Sequence, residues 1–168
     1  TINILKANPS IRWDPVHYSA NPNMTMDTIK SKPDILWDSR SLWDNPSITL
    51  DDIRGFSSSL WDYQDLSKNN KISWEFIRDD DNKAWDYKNM SKNTNITIDI
   101  VKANPLAHWD YNYLSANPNF SLEVILENRA LFDNFVWISL NPNLNCEILR
   151  DNPHLQWDIQ NLSENEFL

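Results

Sequence analysis

Tryptophan followed by aspartate recurs at Trp13-Asp14, Trp37-Asp38, Trp61-Asp62, Trp85-Asp86, Trp109-Asp110 and Trp157-Asp158. A column of indoles offers a platform for stacked bases, and a column of carboxylates offers hard oxygen ligands for calcium. The neighbouring residues complete neither chemistry. A single strand of nucleic acid needs Lys or Arg beside the rings, and each ring here is followed by an acid. One carboxylate per 24 residues is better explained by the free backbone N–H groups at a helix start, which need acceptors. The indoles are accordingly expected to form an interior column between helices, each N–H bonded to a backbone carbonyl. His17, His108 and His154 occupy three different places in the pattern and show no metal-ligand spacing. Cys146 is the single cysteine, which excludes an intramolecular disulfide and a cysteine-based zinc site. It takes a slot held elsewhere by Ile2, Met26, Leu50, Trp74, Ile98 and Leu122, so it reads as a small buried hydrophobe. No nucleophile elbow, P-loop, dinucleotide fingerprint or paired catalytic carboxylates occur. The expectation is a protein with no catalytic residue, no cofactor, no metal and no enzymatic activity.

The residues that could do chemistry are spaced by a period. Asn21, Asn45, Asn69, Asn93, Asn117, Asn141 and Asn165 fall 24 apart without a gap, and 168 residues hold seven such units. The units are 1–24, 25–48, 49–72, 73–96, 97–120, 121–144 and 145–168, which together make one repeat array over 1–168. A fixed period between about 20 and 50 residues marks a solenoid, in which each unit packs on its neighbours. The recurring Asn both donates and accepts, and is expected to bind turn backbone where one unit passes to the next.

Each unit reads as two short helices, A and B. Thr25, Thr49, Ser73, Thr97, Ser121 and Asn145 are good N-caps for helix A, as is Thr1 at the start of the chain. Two places later Asp27, Asp51, Glu75, Asp99, Glu123 and Glu147 meet the positive end of the helix dipole. The apolar pairs Met24/Ile29, Ile48/Ile53, Ile72/Ile77, Ile96/Val101, Phe120/Ile125 and Leu144/Leu149 sit at the spacing of a hydrophobic staple. Asn-Pro then ends helix A, because the residue before proline is pushed out of the α region. Helix B is expected to start at Trp-Asp, to present an apolar residue five places after the Trp, and in six units to continue with Ser. Helices of this length do not persist alone in water, so stability must come from stacking. The predicted fold is all-α, an α-solenoid of seven two-helix repeats. The minority alternative is a horseshoe like that of leucine-rich repeats, which share the period and an Asn ladder. Its pattern needs an apolar residue five before the Asn, where this chain has Val16, Arg40, Gln64, Lys88, Asn112, Val136 and Gln160, which are mostly polar.

Composition narrows the function. A formal charge of −9 argues against a phosphate-binding face and for a protein partner rather than nucleic acid. No apolar run approaches the ~20 residues of a membrane span, and no signal peptide opens the chain, so no membrane contact and no secretion are expected. One glycine in the whole chain leaves the turns to Pro, Asn, Asp and Ser.

The stretches Asn117-Pro118-Asn119-Phe120-Ser121, Asn93-Thr94-Asn95-Ile96-Thr97, Ile72-Ser73-Trp74-Glu75-Phe76-Ile77 and Ala84-Trp85-Asp86-Tyr87 resemble short repeats of proteins from large nucleocytoplasmic DNA viruses, the mimivirus-like giants. The resemblance covers the whole chain. It implies a non-enzymatic repeat scaffold for protein–protein interaction, with a host or viral partner, in the host cytoplasm or the virion. The alternative is a structural virion component whose repeat ends and sixth-repeat patch are assembly contacts, with end-to-end self-association. The ends carry no distinct polar capping repeat; the last copy closes with Asn165-Glu166-Phe167-Leu168. The sixth copy departs from the pattern: Asp133-Asn134 stand where Trp-Asp belongs, and apolar residues crowd round them. Phe132 or Trp137 is expected to fill the vacant Trp slot. The remaining apolar excess makes Phe132, Phe135, Val136, Trp137 and Leu140 the candidate protein contact.

Overall fold

The computed structural model describes residues 2–8, 10–55, 60–79 and 83–165. Thr1 and the tail Glu166, Phe167 and Leu168 lie outside the described residues. The odd-numbered helices are the A helices: α1 (Ile2–Ala7), α3 (Met26–Lys30), α5 (Leu50–Gly55), α7 (Trp74–Arg78), α9 (Ile98–Ala103), α11 (Leu122–Glu127) and α13 (Cys146–Asp151). The even-numbered ones are the B helices: α2 (Pro15–Ser19), α4 (Ser39–Asp44), α6 (Tyr63–Ser67), α8 (Tyr87–Met90), α10 (Tyr111–Ser115), α12 (Phe135–Ile138) and α14 (Ile159–Ser163). No strand occurs among the described residues. The fold is therefore all-helical and repeating, and the leucine-rich horseshoe, which needs a strand in every unit, is set aside.

The capping residues work as their positions require. In helix A the Ser73, Thr97 and Ser121 hydroxyls accept from the N–H three residues on, and the Asn145 side chain does the same at 2.9 Å. Thr25 makes no such bond. Thr49 forms a full capping box instead: Asp52 donates its N–H to the Thr49 hydroxyl at 3.2 Å, and the Asp52 carboxylate accepts the Thr49 N–H at 2.9 Å.

Helix B begins one step later than Trp-Asp. The aspartate is the N-cap, in extended backbone conformation, and the tryptophan before it lies outside the helix. Asp38 accepts from Ser41 N–H at 2.8 Å and Asp158 from Asn161 N–H at 2.8 Å. A carboxylate that satisfies orphan donors must sit at the cap, and that displaces the Trp by one place out of the helical turn.

The staple residues form the core. Met24, Ile29, Ile48, Ile53, Ile72, Ile77, Ile96, Val101, Phe120, Ile125 and Leu144 are all buried, and Leu149 alone is half-buried. The B helices add Leu42, Leu66, Met90, Leu114, Ile138 and Leu162, all buried. Cys146 departs from expectation: its thiol is exposed. The equivalent Met26 and Leu122 are buried. In the same copy Leu149 is half-buried where its counterparts Ile125 and Val101 are buried, whereas Leu50, Trp74 and Ile98 in the Cys146 slot are themselves only half-buried.

Turns are built without left-handed backbone. No described residue, the glycine included, has positive φ. The repeated Asn carbonyl accepts the N–H three residues on, as in Met24 to Asn21 at 2.8 Å and Phe120 to Asn117 at 3.0 Å, which closes a tight turn into helix A. The chain forms two compact units, Thr1–Asp65 and Leu66–Leu168. In the first, α2 packs beside α4; in the second, α10 packs beside α12.

Candidate functional site

The recurring polar residues are consumed by the fold. Four of the indole N–H groups donate to the carbonyl five residues back, at the close of helix A: Trp13 to Asn8 at 3.1 Å, Trp37 to Lys32 at 3.0 Å, Trp109 to Asn104 at 3.0 Å and Trp157 to Asn152 at 2.9 Å, whereas the buried Trp61 Nε1 makes no hydrogen bond among the described residues. The same Asn caps that helix with its side chain, as Asn104 Nδ2 does on the Ile100 carbonyl at 2.8 Å. Trp61 and Trp109 are buried, whereas Trp13, Trp37, Trp85 and Trp157 are half-buried. The column is thus a wedge between helices with one edge near solvent.

The Asn column binds across copies. Asn45 Nδ2 donates to the carbonyls of Ser19 at 3.0 Å, Asn21 at 2.8 Å and Met24 at 3.2 Å. Asn93 does the same to Ser67, Asn69 and Ile72, and Asn141 to Ser115, Asn117 and Phe120. Its Oδ1 meanwhile accepts the N–H two residues on within its own turn, as in Ser47 to Asn45 at 2.9 Å. One buried amide therefore fixes a turn and reads the copy before it.

The serine column carries a link that the pattern alone did not assign. Ser19, Ser67, Ser91, Ser115 and Ser139 are at most 1% exposed. The hydroxyls of Ser19, Ser67, Ser91 and Ser139 accept the N–H of Asp38, Asp86, Asp110 and Asp158, 19 residues on in the next copy, at 2.9–3.0 Å. The recurrence of Ser was visible; its partner in another copy was not.

The sixth copy solves the missing Trp with a different ring. Phe132 is 1% exposed and meets Tyr111 edge-on at 5.5 Å, as Trp109 meets Tyr87 at 5.3 Å one copy earlier. Asn134 replaces the aspartate as cap, accepting from Val136 N–H at 3.2 Å. Phe135 is also buried, edge-on to Trp157 at 5.7 Å, with the Arg129 guanidinium 4.8 Å from its ring. Phe132 and Phe135 therefore belong to the core and leave the candidate contact. Val136 is 48% exposed, and Trp137 and Leu140 are half-buried. Trp137 stands edge-on to Tyr113 at 5.4 Å, and Lys92 Nζ lies 3.9 Å from the Tyr113 ring. The result is a strip of the exposed Val136 and the half-buried Trp137 and Tyr113, with an ammonium at its border.

Elsewhere the surface is less specific. His17 hydrogen-bonds the Asp14 carboxylate at 2.9 Å at an exposed place and holds the Asp14 pKa below its ordinary value. No group of three or more metal-ligating side chains occurs among the described residues. Among them no helix is long and apolar enough to cross a membrane. No family model, no curated protein and no solved structure matches this chain.

Proposed function

We propose that the chain is a non-enzymatic repeat scaffold that holds a protein partner through the sixth copy. The observation that carries this reading is the split of that copy's aromatic excess. Phe132 alone takes over the Trp slot, so Trp137 is surplus to the core, and it lies beside the exposed Val136. Aromatic groups that pack on one edge and face solvent on the other are the usual anchors of interface hot spots. Leu106 is more exposed, at 92%, but it stands singly, and scattered apolar residues need no partner. The recurring Trp, Asp, Asn and Ser side chains are engaged in caps and cross-copy bonds, which favours a binding surface over a reactive one. The sequence resemblance to repeats of giant-virus proteins makes the host cytoplasm or the virion the compartment in which to seek that partner.

The test is a pair of substitutions, Val136→Asp with Trp137→Ser, set against Leu106→Asp as a control. The expected outcome is loss of the captured protein by the sixth-copy pair, retention by the control, and a melting temperature lowered by no more than about 2–4 °C in the pair, the effect of about 1 kcal/mol in a chain of this size. A fall of about 10 °C or more in the pair, as for loss of a buried ring, would place Trp137 in the core and end the reading. Equal binding by all three proteins would move the contact elsewhere.

A further inference from the structure

The A helices follow a charge rule that one of them breaks. In α3, α7, α9 and α13 an acid stands in the first turn and a cation in the last: Asp27 and Lys30, Glu75 and Arg78, Asp99 and Lys102, Glu147 and Arg150. That order suits both ends of the helix dipole. In α11 the acid Glu123 is kept, but Leu126 stands in the cation's slot and Glu127 closes the helix. A carboxylate at that end meets the negative pole, and α11 has no cation of its own to offset it. Leu126 is half-buried, whereas Lys30, Arg54, Arg78, Lys102 and Arg150 in the same slot are exposed.

Leu126 lines an open groove of about 490 Å³ formed by α11, α13 and the turn between the sixth and seventh copies. Its apolar lining is Leu122, Leu126 and Ile148, and its polar lining includes Glu123, Glu127, Asn143 and Asn152. The two amide nitrogens are committed. Asn143 Nδ2 donates to the Pro118 carbonyl at 2.6 Å, and Asn152 Nδ2 donates to the Ile148 carbonyl at 2.9 Å. The carboxylates and the amide oxygens are left as acceptors. Among the described residues neither Glu123 nor Glu127 makes an ion pair. The Arg129 guanidinium, two residues past Glu127, lies 4.8 Å from the Phe135 ring instead. Arg150 on α13 is exposed and pairs with neither carboxylate. An apolar wall set with acceptors fits an apolar side chain beside a charged donor.

We propose that this groove docks a protein segment in which an apolar side chain stands next to an arginine. The apolar side chain packs on Leu122, Leu126 and Ile148. The guanidinium donates to the Glu123 and Glu127 carboxylates and brings to the end of α11 the positive charge that other A helices carry in their own sequence. Charge complementarity fixes the class of partner, since α11 and α13 together hold Glu123, Glu127, Glu147 and Asp151 against Arg150. Arginine is favoured over lysine because its planar fork serves several acceptors at once. The volume is that of a ligand site, but an open groove suits a side chain projecting from a larger body better than an engulfed small molecule. The preceding junction, between α9 and α11, lacks this chemistry: Lys102 takes the place of Leu126, and Ala103 that of Glu127. None of Val136, Trp137 and Tyr113 lines the groove, so the proposal is independent of the sixth-copy strip.

Amide NMR of the 168-residue chain tests it, with the capped dipeptide acetyl-Leu-Arg-amide as probe and acetyl-Leu-Gln-amide as its neutral control. The arginine probe is expected to shift the amides of α11 and α13 saturably, with half-saturation at about 1–10 mM for so small a ligand, and to leave α9 unmoved. The neutral probe should bind the same place about three- to fivefold more weakly, and the difference should shrink with salt. Glu123→Gln with Glu127→Gln changes two exposed side chains and should bring the arginine probe down to the level of the neutral one. Leu126→Lys gives α11 the cation of the other A helices, a residue type the fold already accepts in that slot, and should abolish binding of both probes. Equal binding of the two probes, no saturable shift up to about 20 mM, shifts spread evenly over α9, or binding unchanged in Leu126→Lys would each overturn the proposal. Calcium chloride that saturates the α11 amides and is not displaced by the arginine probe would make the groove a cation site and overturn it as well.

Discussion

The fifth and sixth copies fold alike from different residues, and the contrast separates what the repeat needs from what it usually contains. In the fifth copy Trp109 fills the wedge and also ties its indole N–H to the close of helix A through the Asn104 carbonyl. In the sixth the wedge is filled by Phe132, which stands one place earlier in the repeat and has no N–H to donate. The Asn128 side chain still caps helix A there, on the Val124 carbonyl at 2.6 Å, and its carbonyl accepts Leu131 N–H at 2.8 Å. The requirement is therefore a ring against the preceding B helix and an acceptor at the cap. Tryptophan and aspartate are one way to meet it. Once Phe132 has met it, Trp137 is released from structural duty, and that is what gives the sixth copy a surface unlike the others.

The largest expected effect breaks the equivalence of the two rings. Trp109→Ala and Phe132→Ala should each cost about 3–5 kcal/mol, since both remove a buried aromatic and leave a cavity. Trp137→Ala should cost about 1 kcal/mol, the worth of an edge-on aromatic pair at a half-exposed place. Urea denaturation of the three variants checks the order. A Trp137 variant as unstable as the Trp109 variant would show that both rings of the sixth copy are structural.

A smaller effect sharpens the comparison between inner and outer copies. Asn117 is 3% exposed and donates to the Ser91 and Asn93 carbonyls while holding the Asn119 N–H. Asn117→Ala leaves those groups without their partner and should cost about 2–4 kcal/mol. Asn165→Ala removes the same type of bonds at a half-buried place, where water substitutes, and should cost about 1 kcal/mol or less. Equal losses at the two positions would mean that the ladder acts through its own turn and not across copies.

How much of this was legible follows from the range of each interaction. The staple pairs, the helix-A caps and the Asn-Pro stops act within a few residues, and the spacing in the chain revealed them. The indole N–H acceptor lies five residues back, and its type was also readable. Partners 19 to 26 residues away were not: the serine hydroxyl that accepts Asp110 N–H, and the carbonyls under Asn117, depend on how one copy seats on the next. Cys146 stands exposed in a slot that is buried at Met26 and Leu122 but only half-buried at Leu50, Trp74 and Ile98, and the one-place shift of Trp out of helix B follows locally from the aspartate taking the cap. In the sixth copy, the sequence offered both Phe132 and Trp137 as the filler; only the position of the Tyr111 ring decides for Phe132.

The smallest expected effect tests whether the cap needs its charge. Asp110 accepts the N–H groups of Asn112 and Tyr113 at 3.1 and 3.2 Å, and Asn134 serves the same end of α12 with a neutral oxygen. Asp110→Ala and Asn134→Ala should therefore each cost about 1 kcal/mol, the usual worth of an N-cap side chain. Asp110→Asn should cost only a few tenths, because the acceptor geometry survives and the lost interaction with the helix dipole is small at a short helix. The Lys88 ammonium, 3.6 Å from the Asp110 carboxylate, adds little to this, since its side chain is 65% exposed and solvent screens the pair. Stability measured at low and high salt separates the two contributions: the dipole and ion-pair parts shrink with salt, whereas the cap bond does not. If Asp110→Asn cost as much as Asp110→Ala, the carboxylate would be indispensable in the fifth copy, and the neutral cap of the sixth would have to be held by something other than its Oδ1 bond to Val136 N–H, such as the Asn134 Nδ2 bond to Asn112 Oδ1 at 3.0 Å.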